Sequence, residues 1–208
     1  MVVTPKSSEI LRLLRELYPH ARCELNFSSP FELLIATILS AQCTDQRVNL
    51  ITARLFAKYQ HPLDYVHVAL EELEGDIRSS GLYRSKARNI AACCRDLCAK
   101  YNCQVPATLL ELNALPGVGR KTANVVAATA FNVPALAVDT HVFRVARRLG
   151  LAFGRTPEKV EQELCAKFPP EDWISLHHLL IWHGRRTCHA RKPQCHLCRL
   201  SDWCDYQQ

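Results

Sequence analysis

The 208-residue sequence contains no apolar run of 18 residues, and its first residues, from Met1 to Lys6, do not open a long apolar segment. The first absence argues against a membrane-spanning helix, and the second leads us to expect no secretory signal. A transit segment rich in Arg and Ser is missing as well. We therefore expect a cytoplasmic protein that has no membrane partner.

Sustained alternation of apolar and polar residues, the pattern of a half-buried strand, is also lacking. Helical spacing is present instead, first after an N-cap expected at Ser8, in the run Ile10, Leu13, Leu14 and Leu17. Ser29 and Glu32 frame a capping box with Pro30 at the first helical position, and another helix is expected over Leu63–Leu73. The sequence predicts an all-α fold.

Carboxylates are missing from two long stretches of this chain, whose net charge is +6 and whose pI is about 8.8. No Asp or Glu lies between Glu111 and Asp139, and none lies between Asp172 and Asp202. The second stretch holds five basic residues, Arg185, Arg186, Arg191, Lys192 and Arg199. Such segments are compatible with a polyanionic partner, and an ordinary solvated surface explains each of them equally well.

The eleven cysteines are odd in number, and without a secretory signal this argues against a disulfide framework. Seven are scattered among helical residues and are typical of small buried side chains. The last four are spaced C-x6-C-x2-C-x5-C, which predicts that Cys188, Cys195, Cys198 and Cys204 hold a metal or a cluster. Zinc prefers two paired knuckles and only one C-x2-C is present, so zinc is the weaker of the two alternatives.

The segment Leu115-Pro116-Gly117-Val118-Gly119 predicts a turn between two helices. Its glycines permit positive φ and remove side chains, so backbone N–H groups at the start of the next helix can approach a phosphate. Gly117, Val118 and Gly119 are therefore candidate contacts to a nucleic-acid backbone, which position the partner without reading its sequence. A helical corner with no ligand is the alternative.

Lys121 lies in the first turn of the helix that is expected to begin near Gly119. The positive end of the helix dipole disfavours an ammonium there and lowers its pKa. A free lysine has a pKa near 10.4, so only about one amine in a few thousand is neutral at pH 7. Lys121 is thus a candidate Schiff-base nucleophile, and a simple phosphate-binding lysine is the alternative.

Four segments together resemble the endonuclease III family, whose members are DNA glycosylases with an associated lyase activity. The most specific are LPGVGRKTANVV at 115–126, similar to the family's helix–hairpin–helix, and VDTHVFRV at 138–145, similar to its Gly/Pro…Asp signature. The others are LSAQ with TD at 39–45 and GLY with SKA at 81–87. The resemblance covers nearly the whole chain.

The resemblance implies that Lys121 attacks C1′ of a damaged nucleotide, expels the base and permits β-elimination of the 3′ phosphate. It implies that Asp139 activates the nucleophile or stabilises positive charge on the sugar, while also serving as the helix N-cap expected at this position. Gln42 and Leu82 would fill the gap left when the nucleotide is flipped out of the stack. His141 is expected to be a further DNA contact, and oxidised pyrimidines are the expected lesions.

The cysteine spacing is similar to the [4Fe–4S] loop of this family, which implies a cluster held at 188–204. We expect it to be structural, since glycosidic cleavage requires no electron. Arg191 and Lys192 lie between the first two cysteines, and the cluster would hold them toward phosphate.

The family fold implies two helical lobes with the active site in the cleft between them. A helical-barrel domain would span 23–134, and residues 1–22 with 135–208 would form the cluster domain. We expect a monomer that acts on double-stranded DNA containing damaged bases or abasic sites.

One alternative is a monofunctional mismatch glycosylase of the same superfamily, although the adenine-removing members typically lack the nucleophilic lysine and carry an extra C-terminal domain. The other is a non-catalytic DNA-binding protein with a zinc-held tail.

Overall fold

The structure is a computed structural model that describes residues 4–206, within which the secondary structure is helical and no β-strand occurs. The predicted all-α class is therefore confirmed. In chain order the helices are α1 (Pro5–Leu17), α2 (Pro30–Leu39), α3 (Asp45–Lys58), α4 (Pro62–His67), α5 (Leu70–Asp76), α6 (Tyr83–Lys100), α7 (Leu109–Asn113), α8 (Arg120–Phe131), α9 (Thr140–Arg148), α10 (Pro157–Lys167) and α11 (Pro170–Arg186). Short 3-10 turns lie at Arg78–Ser80, Cys195–Leu197 and Ser201–Trp203.

The chain divides into two compact units. Glu24–Val133 forms the middle unit, and Met1–Cys23 with Pro134–Gln208 forms the terminal unit. Of the domain expected over 1–22 and 135–208, residues 1–3 and 207–208 lie outside the described residues.

Local capping decides where the first two helices begin. Thr4 caps α1, because its side chain accepts a hydrogen bond from the Ser7 N–H at 3.2 Å while the Ser7 hydroxyl accepts one from the Thr4 N–H at 3.0 Å. The N-cap expected at Ser8 was thus wrong by about one helical turn. Ser29 caps α2 as predicted, but the carboxylate of Glu32 accepts from Ser28 and not from Ser29.

The helix expected over Leu63–Leu73 is two helices, α4 and α5. Val68 and Ala69 separate them, with ψ values of 142° and 137° that belong to extended backbone. Nothing in the apolar spacing signals this break, and no proline or glycine lies within it.

The middle unit is built around α2, whose residues from Phe31 to Leu39 are almost all buried. It packs against α3, α6 and α8, and α7 packs against α8. A helix that is apolar on all sides is stable only when other helices surround it. Each flanking helix therefore needs one apolar face, which packs on α2.

The terminal unit packs α11 against α9 and α1. Its core includes the fully buried residues Ile10, Leu14, Val142 and Leu180. Gly184 allows α9 and α11 to approach closely, since a Cβ built there would lie 3.1 Å from both the Cβ and the Nδ1 of His141. The backbone of α11 then leads directly into the cysteine-rich segment.

Candidate functional site

Gly117 is required by the shape of the hairpin between α7 and α8. Its φ is +77°, in the left-handed region that side chains avoid, and a Cβ built there would lie 2.7 Å from the Cβ of Asn89 on α6. Real Cβ atoms do not approach one another so closely, so glycine at 117 is dictated by the fold of the middle unit.

Gly119 differs from Gly117 in both respects. Its φ of −87° suits any residue, which corrects the expectation that both glycines supply positive φ. A Cβ at Gly119 would meet nothing within 4 Å. Gly119 is the N-cap of α8 and has no side chain to cap the helix. The fold does not need glycine here, and its effect is to leave open space in front of the helix N-terminus.

Val118 anchors the hairpin. Its side chain is buried, and its N–H donates to the Leu115 carbonyl at 3.1 Å. Its N–H is therefore engaged within the turn, whereas Gly117 and Gly119 are exposed on either side of it. We accordingly keep the two glycines as candidate phosphate contacts and assign Val118 to holding them in place.

Lys121 is the second residue of α8, in the first turn as predicted, and its side chain is exposed. That turn contains no acidic residue, although the positive end of the helix dipole favours one. With Arg120 before it and no capping side chain, this helix start is open and cationic. An anion approaching Gly119 would meet the N–H groups of the helix N-terminus and the Lys121 amine together.

Asp139 is the N-cap of α9, as predicted. Its Oδ1 accepts hydrogen bonds from the N–H groups of His141 and Val142, both at 2.8 Å. The two hydrogen bonds to this single oxygen fix the orientation of the carboxylate. A residue of α11 holds the segment that precedes Asp139. The buried His177 donates from Nδ1 to the Ala137 carbonyl at 2.8 Å.

His141 follows Asp139 and is half-buried against α11. Burial lowers the pKa of His141, the Asp139 carboxylate opposes that effect, and the Arg144 guanidinium adds to it. Nδ1 of His141 lies 3.2 Å from Nη2 of Arg144, and a hydrogen bond with the Gly184 backbone also opposes the lowering of the His141 pKa.

Gln42 and Leu82 lie on two exposed turns of the middle unit. Both have left-handed backbone, with φ values of 53° and 49°. Leu82 is 58% exposed and is the N-cap of α6, where its side chain can make no capping hydrogen bond. An exposed leucine that has a positive φ and cannot cap the helix does not stabilise the fold. The presence of leucine at this position therefore needs another explanation.

Lys86, which belongs to the family-like segment at 81–87, is buried between these two turns. Its Nζ donates to the Leu39 carbonyl at 2.7 Å and to the Ser80 carbonyl at 2.8 Å. The sequence placed Lys86 in a family motif but gave it no function, because neither carbonyl can be foreseen from helical spacing.

The four C-terminal cysteines follow α11 in a segment that is anchored by the fully buried Leu200. Arg148 of α9 donates to the Cys188 Sγ at 3.3 Å and to the His189 carbonyl at 2.7 Å. Burial is the main cause that raises the pKa of Cys198 and of Cys204, and the neighbouring thiols raise both further.

These thiols fit an iron–sulfur cluster. Three of the four, Cys188, Cys198 and Cys204, pack against the core of the terminal unit. The four cysteines lie within 17 residues of the chain, and four thiolates held so close require positive charge among them. Among residues 4–206, no three His, Cys, Asp or Glu side chains converge on one point that a single metal ion could fill. A four-iron cluster takes one thiolate at each iron, so its cysteines surround a larger volume.

The basic residues between the first two cysteines, Arg191 and Lys192, are exposed. Lys192 has a φ of +51°, so three of the six non-glycine residues with positive φ in the described chain are predicted DNA contacts: Gln42, Leu82 and Lys192. Such conformations often accompany functional positions.

Comparison with known families gives the class of this protein. Residues 35–170 match the family described as "HhH-GPD superfamily base excision DNA repair protein". Residues 188–204 match the "Iron-sulfur binding domain of endonuclease III". The helical hairpin and the four cysteines thus belong to one class of base excision DNA repair protein.

Individual relatives narrow this class. The chain is 51% identical to endonuclease III of Escherichia coli (strain K12) over 98% of this chain and 96% of that protein. It is 52% identical to endonuclease III of Bacillus subtilis (strain 168) over 91% and 87%. The solved structure of a non-covalent endonuclease III–DNA complex matches with a TM-score of 0.94 and 52% identity, covering 99% of this chain and 96% of that chain.

The chain belongs to the endonuclease III family. It is a DNA glycosylase with AP lyase activity, and its cofactor is a [4Fe–4S] cluster. The alternatives of a monofunctional mismatch glycosylase and of a zinc-held binding protein are thereby set aside. No helix in the described part of the chain is long and apolar enough to cross a membrane.

Proposed function

We propose that Lys121 is the nucleophile of this glycosylase and lyase and that Asp139 is its acid–base partner. The observation that carries the proposal is the placement of the Lys121 amine, exposed at an uncapped helix start that contains no acidic residue. A lysine there is unfavourable for the helix and well placed for an anionic substrate. The substrate is duplex DNA with a damaged base or an abasic site, and solved complexes of endonuclease III with DNA match this chain in structure.

The reaction begins with a neutral Lys121 amine. Its lone pair forms a bond to C1′ while the glycosidic C1′–N bond breaks and the base leaves with the bonding electrons. Loss of the amine proton and opening of the sugar give an imine between Lys121 and C1′. A base then removes a C2′ proton, the C3′–O bond breaks and the 3′ phosphate departs. Water hydrolyses the remaining imine and frees the lysine.

Desolvation of the Lys121 amine must come from the substrate, because the side chain is exposed in the protein without DNA. Covering this helix start with DNA would remove water from the amine, and loss of water disfavours the charged form of an amine. We therefore propose that DNA binding itself activates the nucleophile.

Asp139 suits a proton-transfer role because its carboxylate is fixed. One oxygen is held by two backbone N–H groups at 2.8 Å, which leaves the other to receive a proton or to face the positive charge that develops on the sugar.

We propose that Leu82 is the wedge that fills the stack when the nucleotide is flipped out, and that Gln42 contacts the orphaned base. Their exposure and left-handed backbone support these roles, since neither feature benefits the protein alone. His141 would contact the DNA, while Gly117 and Gly119 would bring backbone N–H groups to a phosphate.

The [4Fe–4S] cluster would be held by Cys188, Cys195, Cys198 and Cys204. When bound, it supplies a rigid cross-link of this segment and positive charge for the thiolates. The residues of the chain then present Arg191 and Lys192 to phosphate. We also propose that the terminal unit is the cluster domain and that the middle unit is the helical-barrel domain.

We propose oxidised pyrimidines as the damaged bases and the nucleoid of a bacterial cytoplasm as the place of action. The support is about 50% identity to bacterial endonuclease III proteins over nearly the full length. A panel of duplexes, each carrying one lesion, would rank the substrates by rate of base release.

Borohydride trapping tests the nucleophile, because borohydride reduces the imine to a stable amine cross-link. We expect the unmodified protein to become covalently attached to abasic duplex DNA, and Lys121→Gln to lose at least 99% of this product while still binding the DNA, in line with about 10² or more for a catalytic group. Lys100→Gln, which removes an exposed lysine of α6, should trap normally. Trapping by Lys121→Gln at the unmodified rate would refute the assignment.

A further inference from the structure

Lys86 is a buried lysine for which the chemistry above has no use. It lies on α6 with a relative exposure of 4%, whereas lysine is almost never fully buried unless its charge is satisfied. Its Nζ donates to two backbone carbonyls, those of Leu39 at 2.7 Å and Ser80 at 2.8 Å. Burial lowers the pKa of Lys86, and the nearby Cys43 thiol opposes this effect.

The two carbonyls belong to the last residues of the elements that precede the Gln42 turn and the Leu82 turn. Leu39 is the last residue of α2 and precedes the turn that carries Gln42. Ser80 is the last residue of a 3-10 turn and precedes the turn that carries Leu82. Final carbonyls of a helix have no partner within it, so they need a donor from elsewhere. One ammonium group supplies that donor to both.

Each turn is also closed by its own backbone. The Cys43 N–H donates to the Ser40 carbonyl at 3.1 Å, around Gln42. The Lys86 N–H donates to the Leu82 carbonyl at 3.0 Å, so Lys86 contacts the Leu82 turn through main chain as well as side chain. Residues with left-handed backbone persist only where neighbouring groups fix their conformation. Lys86 is such a neighbour of both the Gln42 turn and the Leu82 turn.

We propose that Lys86 is a positioning residue that couples the Gln42 and Leu82 turns, so that the two side chains enter the duplex as one unit. The inference rests on the DNA roles proposed above for these two residues. A methionine of similar length would fill the same space without a buried charge, and apolar replacements of buried charges are often no less stable. Retention of the lysine is explained by its two directed hydrogen bonds.

A double-mutant cycle measures the coupling. Gln42→Ala, Leu82→Ala and the double variant are compared for affinity to a duplex that contains a tetrahydrofuran abasic analogue, which cannot be cleaved by β-elimination from an imine. Residues that share a partner show interaction effects of roughly two- to 150-fold. We expect the combined loss to differ from the product of the single losses by about fivefold or more.

The same cycle is then repeated with Lys86→Met. We expect the combined loss to equal the product of the single losses within about twofold, as for independent sites. Lys86→Met alone should weaken binding to the abasic analogue by about tenfold and binding to undamaged duplex by less than about twofold, because only the former needs both turns in register. Lys100→Met, on the exposed surface of α6, should change neither affinity.

Thermal unfolding shows whether each variant is folded. If Lys86→Met does not fold, Lys86→Gln takes its place, since the amide is neutral and too short to reach both carbonyls. Unchanged coupling in a folded Lys86 variant would overturn the inference, and so would equal losses on abasic and undamaged duplex. Failure of trapping by the unmodified protein would instead refute the Lys121 proposal, and these binding measurements would be unaffected.

Discussion

Gly117 and Asn89 meet so closely that the hairpin between α7 and α8 is seated directly on α6. A Cβ at position 117 would lie 2.7 Å from the Asn89 Cβ, whereas a Cβ at position 119 would meet nothing within 4 Å. Two glycines that look equivalent in the sequence are thus distinguished by their surroundings. The first is needed for the fold, and we infer that the second is needed for the approach of DNA.

Opposite substitution effects at the two glycines test this distinction. Gly117→Ala should lower the melting temperature, because it adds a clash and a strained φ of +77°. Gly119→Asp should keep or raise the melting temperature, since Asp is a good N-cap and favours the helix dipole by about 0.3–1 kcal/mol. It should nevertheless weaken DNA binding by about tenfold or more, through repulsion of phosphate.

Scanning calorimetry and fluorescence anisotropy with undamaged duplex give the two readouts. A Gly119→Asp protein that binds DNA as tightly as the unmodified protein at low salt would contradict the proposed phosphate contact.

Replacement of Asp139 separates its capping role from its catalytic role. Asn is as good an N-cap as Asp, so Asp139→Asn should unfold at nearly the same temperature. It lacks the charge, so single-turnover base release should slow by about 10² or more. Asp139→Ala should slow base release as well and should also lose about 1 kcal/mol of stability with the cap. Equal rates for Asp139→Asn and the unmodified protein would exclude the catalytic role.

Acid should destabilise this protein partly through His178. Burial is the main cause that lowers the pKa of His178 to about 3, and the charge of neighbouring His177 adds to it. An unfolded histidine has a pKa of about 6.5, so between these values the unfolded state binds more protons. Stability should therefore fall as the pH decreases from about 6.5 toward 3.

His178→Gln removes this titration. The difference in urea midpoint between pH 7 and pH 5 should be smaller for His178→Gln than for the unmodified protein. His67→Gln, at an exposed histidine of α4, should show the full difference. An identical pH dependence in all three proteins would show that His178 is not responsible.

Cys198→Ser should remove the cluster, because serine does not replace a thiolate on iron well. We expect loss of visible absorbance and of bound iron, together with weaker DNA binding and a smaller dependence of affinity on salt as Arg191 and Lys192 lose their fixed positions. Cys98→Ser, on α6, should retain both the colour and the affinity. Full DNA affinity and activity without iron would show that the cluster does not support the DNA-binding surface.

Local sequence signals predicted the helix starts at Ser29 and Asp139 and the place of Lys121 in the first turn of α8. Each depends on residues within one or two turns, where capping and dipole rules act. The break at Val68 escaped prediction because no proline or glycine marks the extended backbone that ends α4 there.

Contacts between distant parts of the chain could not be predicted in the same way. Lys86 reaches Leu39 across 47 positions, and His177 reaches Ala137 across 40. Helical spacing tells which side of a helix is apolar, but it does not say which carbonyl lies opposite a polar side chain on that side. The packed structure was needed to identify both residues.

Leu82 carries a consequence for any attempt to make this enzyme more robust. A designer guided by stability alone would change this solvated leucine to glycine or asparagine, relieving the backbone and improving the start of α6. Because we propose that Leu82 enters the duplex, we expect the product to survive heating better and to repair DNA worse. The stability of the free molecule and the demands of the substrate complex thus favour different residues at position 82.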